Sequence, residues 1–233
     1  MPPTDRFVIS FAAEPPQQSV PYGRWADVLR EQFLAACEDI DSDEEEIGTP
    51  GDIRWFPDRS YCGRTYVPAV ARTDVGYEVF GYVSFSAGSD DSEPGAFEAR
   101  ADFTGDVAEA NPDWQLDLNE MVLGSWRGEA GHTAEMTLVW GVPMIPGGAL
   151  VTAELADHAV DQCELTDEQR FTLIAADSYR GDYLDIKLWN KRGDRLAAES
   201  LYAEEDDEVD EEPAAAEPGT DEPADSSSGD PTG

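Results

Sequence analysis

The sequence predicts an α+β fold that is predominantly antiparallel β, a sandwich or partly closed barrel with one amphipathic helix packed near the N-terminus. Three observations carry this. Apolar residues alternate with polar ones in segment after segment. A single stretch repeats its apolar residues at helical spacing, and Gly- and Pro-bearing turn sequences separate the segments.

In chain order, Arg6 to Phe11 comes first, with Phe7, Ile9 and Phe11 on one side as in a strand. A Pro/Gln loop follows from Glu14 to Val20. Trp25, Val28, Leu29, Phe33 and Ala36 then recur at helical spacing, with Pro21 suited to the start, and predict a helix running to about Glu38. The acidic run Asp39–Glu46 and a Gly48–Gly51 turn end it.

Beyond this point the period is two. Phe97, Ala99, Ala101 and Phe103 alternate with Glu98, Arg100 and Asp102, and Trp114, Leu116 and Leu118 with Gln115, Asp117 and Asn119. Met136, Leu138 and Trp140 alternate with Glu135, Thr137 and Val139, and Leu184, Ile186 and Leu188 with Asp185, Lys187 and Trp189. One buried and one solvated face is the antiparallel pattern. Asp74-Val75-Gly76 and Asn190-Lys191-Arg192-Gly193-Asp194 read as hairpin turns, and Pro143 to Gly148 separates two further strands. About ten strands are expected. The loop Gly88–Gly95 reads as an insertion between strands.

These elements give a β-rich globular region over residues 1–203, with a sub-boundary near Asn119 where the helix-bearing portion gives way to strands alone. Residues 204–233 hold 13 acids and no base, together with Pro, Ser and Gly. Such a composition cannot bury enough apolar area to offset chain entropy, so a disordered acidic tail is expected.

Charge excludes whole classes of partner. The chain has 51 Asp and Glu against 15 Lys and Arg; without the tail, 38 acids remain against the same 15 bases, a net of −23 over 203 residues. Sequence-independent affinity for DNA or RNA comes from Lys and Arg releasing counterions, so direct nucleic-acid binding is not expected. Anionic membranes are disfavoured for the same reason. A basic protein partner is favoured. The bases are 13 Arg and only Lys187 and Lys191, which a GC-rich genome or a salt-rich cytosol would also produce.

Cys37, Cys62 and Cys163 are odd in number and far apart, unlike the even set of a secreted domain. The early apolar run Phe7–Ala13 lacks the length and basic flank of a signal peptide, and no stretch approaches 18 consecutive apolar residues. The expectation is cytoplasmic.

No catalytic motif stands out. Carboxylate pairs such as Glu98/Asp102 and Asp182/Asp185 are expected by chance among 51 acids. Cys62 lies near Arg64 but without a neighbouring histidine, and there is no G-x-S-x-G elbow, no Walker sequence and no G-x-G-x-x-G. Asp39–Glu46 lacks the glycine and ligand spacing of an EF-hand. No cofactor is implied. The metal candidates are His132, His158, Asp161 and Cys163, which would converge on Zn²⁺ if their segments were adjacent strands, although their spacing matches no named zinc pattern.

One segment, Leu123-Gly124-Ser125-Trp126-Arg127-Gly128-Glu129, resembles the G-x-W opening strand of lipocalin-like and nitrobindin-like (calycin) barrels. The resemblance covers seven residues and sits mid-chain, whereas those families begin with it. It implies a barrel whose one end the tryptophan closes, holding a small apolar ligand, with Gly124, Trp126 and Arg127 as the ligand-binding residues.

The sequence therefore favours a non-enzymatic acidic binding or accessory protein that contacts a basic partner. Two alternatives stand beside it, the calycin-like carrier and a DNA-mimic inhibitor whose acids imitate phosphate spacing. An enzyme of unknown type is the least favoured.

Overall fold

The computed structural model describes residues 24–42, 45–86, 95–127, 131, 133–179 and 181–201. Met1–Tyr202 form one unit and Ala203–Gly233 a second, and all described residues lie in the first. The strand expected at Arg6–Phe11, most of the Gly88–Gly95 loop, His132 and the acidic tail lie outside the described residues.

The helix α1 spans Arg24–Glu38. Its buried residues Leu29, Phe33 and Cys37 are four apart, so they form one stripe. Asp27 in the first turn complements the positive end of the helix dipole.

The stripe lies on an antiparallel sheet built from β1 (Pro50–Trp55), β2 (Arg59–Tyr61), β3 (Arg64–Thr73), β4 (Glu78–Ser86) and β5 (Gly95–Thr104). The order is β1-β3-β4-β5, and β2 also pairs with β3. Cross-strand partners share a face. Val67 with Val83, Ala69 with Gly81 and Ala71 with Val79 turn toward α1, whereas Tyr66 with Ser84 and Val70 with Phe80 turn away from it. β3 and β4 are thus buried on both faces, and their sequence reads as a continuous apolar run rather than an alternation. Two turns reverse the chain with positive φ. Cys62 and Gly63 (φ 50° and 75°) join β2 to β3, and Gly76 (φ 104°) stands in the expected Asp74-Val75-Gly76 turn between β3 and β4.

The other side of this sheet meets a second layer of strands. Here β6 (Leu116–Arg127), β7 (Thr133–Pro143) and β10 (Phe171–Ala176) run in the order β10-β7-β6. Next to them lie β8 (Gly148–Leu155), β9 (His158–Glu164), β11 (Ser178–Tyr179), β12 (Asp182–Asn190) and β13 (Arg195–Ser200). In this group β8 pairs with β9 and β12, and β12 also pairs with β11 and β13. All pairings are antiparallel, and the hairpin at Asn190–Asp194 carries Gly193 at φ 84°. β9 and β10 are linked through a side chain, because the Ile174 N–H donates to Asp161 Oδ2 at 2.8 Å.

The layers share one core. Phe56, Tyr66, Val70 and Tyr82 from the first sheet pack with Met136, Leu138, Trp140, Leu173, Ile174, Ile186 and Leu188 from the second layer. Phe80 and Trp140 stand 6.3 Å apart across the junction. Two guanidinium groups lie over the Phe56 ring, Arg54 at 6.0 Å and Arg170 at 5.8 Å from its centroid, within cation–π range. Arg170 also donates to the Trp55 carbonyl at 2.6 Å.

The architecture is thus helix on sheet on sheet, mostly antiparallel, as the sequence predicted. The strands do not close into a barrel; among the described residues no pairing joins β6 to β13. The Asn119 position falls inside β6, so the chain there is one continuous strand. Simple alternation also misplaces side chains. Asp117, Asn119, Thr137 and Lys187, at polar positions of alternating strands, are all buried.

Candidate functional site

Where the seam between β6 and β13 stays open, a cleft of about 330 Å³ enters the second layer. Leu116, Leu118 and Glu120 come from β6, Glu199, Ser200 and Leu201 from the end of β13, and Trp114 from the approach to β6. Alternation places Leu116, Leu118 and Glu120 on one face of β6. Ala197, Glu199 and Leu201 follow the same rule in β13, where Ala197 is paired with core Leu188. A carboxylate therefore stands on each lip, at a position where its strand otherwise carries apolar side chains. Glu120 is exposed as a residue, but partial burial of its carboxyl, with the like charge of Asp177 added, raises its pKa.

The opposite face of β6 contributes a second acidic pair between the layers. Asp117 and Glu78 are both buried, and burial is the main cause that raises each pKa. Glu78 is pushed further by Asp117, and restrained by Arg54, Arg72 and a hydrogen bond with Asn119. Arg54 Nη2 lies 3.5 Å from Glu78 Oε2, and Arg72 Nη2 lies 3.0 Å from Glu109 Oε2. Asn119 also lines the cleft, so the acidic pair and the cleft share a residue.

Elsewhere the buried charges are spoken for. Arg59, with its side chain 1 % exposed, holds Asp161 through Nη2 at 2.5 and 2.6 Å. Lys187 Nζ donates to Glu154 Oε2 at 2.9 Å and Asp157 Oδ1 at 3.2 Å, and lies 3.6 Å from Asp185 Oδ2. Glu154 accepts in addition from Thr152 Oγ1 at 2.7 Å, and Thr152 accepts from Trp189 Nε1 at 2.8 Å.

The residues singled out by the sequence are scattered. Gly124 and Arg127 are exposed and Trp126 is half-buried, at the end of β6 away from the cleft. A β-bulge falls between Val122 and Gly124, and no neighbour lies within 4 Å of a Cβ placed at Gly124. His158 is exposed at the start of β9, Asp161 is engaged by Arg59 and the Ile174 N–H, and the buried Cys163 thiol is held above its usual pKa chiefly by burial. Among the described residues no group of three His, Cys, Asp or Glu side chains is placed to hold a metal ion, and no helix is long and apolar enough to cross a membrane.

The cleft was readable only in part. Trp114, Leu116 and Leu118 stand in an alternating strand, but Glu120 and Glu199 were two acids among 51. The signal that distinguishes them is their phase, a charged residue at an apolar position of the alternation. The site further requires β6 and β13 to bring together Glu120 and Glu199, 79 positions apart in sequence, which no local pattern specifies.

Comparison with protein families, with curated proteins and with solved structures finds no match to this chain.

Proposed function

We propose that this protein is a non-enzymatic binding or accessory protein for a basic partner, and that the β6–β13 cleft receives a cationic side chain of that partner. One observation carries the reading: two carboxylate residues, Glu120 from β6 and Glu199 from β13, line a cleft whose other lining residues are Trp114, Leu116, Leu118, Leu201 and the polar Asn119 and Ser200. An arginine or lysine suits this lining because its alkyl stem covers apolar surface while its charged head meets carboxylates and an aromatic ring. The net charge of −36 adds long-range attraction, which accelerates encounter with a basic partner more than it adds affinity. A carrier for apolar ligands would require a closed barrel, and the β6–β13 seam is open.

The test is a titration with a capped Gly-Arg-Gly peptide at fixed 0.15 M salt, followed at the Trp114 indole N–H by NMR. Saturable shifts centred on the cleft are expected, with affinity reduced about tenfold in the E120Q/E199Q variant, the equivalent of about 1.4 kcal/mol. Equal affinity in that variant, or shifts spread evenly over the acidic surface, would overturn the reading.

A further inference from the structure

The seam between β6 and β13 offers backbone as well as side chains. β6 pairs with β7 and β13 with β12, and among the described residues no strand pairs with the other side of either. Within Leu116–Glu120, the N–H and C=O groups that point away from β7 have no backbone partner among the described residues. A strand edge of this kind is a template for an added strand. The same stretch puts Leu116, Leu118 and Glu120 on the cleft, so open backbone and cleft lining belong to one run of chain.

Resting on the reading of the cleft as a receiver of cations, we propose that the basic partner binds as an extended strand that pairs with this edge of β6 and lays a cationic side chain into the cleft. Main-chain hydrogen bonds then supply affinity, and every second side chain supplies specificity. Alternation fixes the pattern that is recognised. In a strand beside Leu116–Glu120, a cation next to Glu120 is accompanied, two and four positions along, by side chains next to Leu118 and Leu116. The segment is therefore a cation with apolar residues at alternate positions.

Charge selects the occupant. The chain carries a net −36, and Glu120 and Glu199 line the seam from its two strands. A second copy of this chain would bring more carboxylates to the seam and be repelled, which guards the edge against self-pairing, whereas a basic strand is attracted. The volume agrees with a small occupant. About 330 Å³ lies at the lower end of the roughly 300–1,000 Å³ of small-molecule sites, and suits a few side chains of an extended segment.

The experiment titrates the full chain at fixed salt with the capped peptide Val-Thr-Arg-Thr-Val, whose alternation is the same in either direction, and with two N-methylated forms. One form is blocked at the arginine amide and the other at both threonine amides, so the side chains stay while alternate N–H donors are lost. At least one form is expected to bind about tenfold more weakly than the parent peptide, and amides within Leu116–Glu120 to exchange about tenfold more slowly at saturation. The E120Q/E199Q variant with the parent peptide checks the cleft separately. Equal affinity there overturns the cation reading, and this proposal with it. Weaker binding there, but with both N-methylated forms binding like the parent or with unchanged exchange within Leu116–Glu120, overturns strand pairing alone. Slow exchange that appears without peptide and grows with protein concentration overturns it as well, because a second copy then holds the edge.

Discussion

The Arg59 guanidinium grips Asp161 across 102 residues of sequence, its Nη2 at 2.5 Å from one carboxylate oxygen and 2.6 Å from the other. Asp161 in turn accepts the Ile174 N–H, so one buried ion pair links β2, β9 and β10. Arg59 Nε and Nη1 are buried without a hydrogen-bond partner, which leaves Asp161 as the principal compensation for this cation.

Removing one member alone strands a buried charge. Asp161→Ala is therefore expected to cost about 3–5 kcal/mol, whereas the double change R59M/D161L is expected to recover most of that loss. Urea denaturation of the three proteins checks this. A double variant as unstable as the single one would count against the reading.

The acidic pair between the layers predicts a pH dependence. Glu78 and Asp117 have pKa values raised above the ordinary 4.5 and 3.8, chiefly by burial. The folded state therefore binds more protons than the unfolded state between the ordinary and the raised values. Their contribution to stability improves as pH falls through that window and is least favourable above it. Denaturation midpoints between pH 7.5 and pH 4.5 should accordingly show a smaller gain on acidification in E78Q/D117N than in the unsubstituted protein. The same slope in both would remove this pair as its origin.

Lys187 governs the alkaline side. Burial alone would lower its pKa, but hydrogen bonds with Glu154 and Asp157 and the fields of Glu154 and Asp185 outweigh that and raise it above 10.5. Its stabilising contribution is complete below the ordinary value and is lost as pH rises through the folded one. Cys37, pushed up to about 11, and Tyr61, pushed up to about 12, act in the same direction at high pH. K187M should therefore be less stable at pH 8, because Glu154 loses its counter-ion, and should lose less on going to pH 11.5. Thermal melts at the two values decide it.

Two glycines are required by close approach. A Cβ at Gly81 would overlap the Arg100 carbonyl oxygen on β5, and one at Gly141 would overlap the Asp117 carbonyl oxygen on β6. Gly81→Ala and Gly141→Ala are each expected to cost about 1–3 kcal/mol by forcing paired strands apart. Gly124→Ala, with open space around the added methyl, should be near neutral in the same denaturation assay.

The strands were legible because period-two alternation is local. Phe97–Phe103 and Leu184–Leu188 fall where the sequence places them, and the helix ends at Glu38 as its spacing predicts. What alternation misses is burial on two sides. Lys187 occupies a polar position of β12, yet it lies buried against Glu154 and Asp157, and nothing near it in sequence announces those partners except charge. Arg59 is a single arginine at the edge of a three-residue strand, and its partner is 102 residues away. The candidate cleft belongs to the same category, since its two acids line one cleft only through the return of β13 toward β6.

The sheet of β3 and β4 has no outward side; Val67, Ala71, Val79 and Val83 serve the helix, while Tyr66, Val70 and Tyr82 serve the second layer. A fragment ending at Thr104 would expose that latter surface to water, and one beginning at Asp106 would lack its lid. Neither piece should remain soluble when expressed alone. Substitutions in this shared wall should therefore melt the helical and the all-strand portions at one temperature, as a single cooperative block.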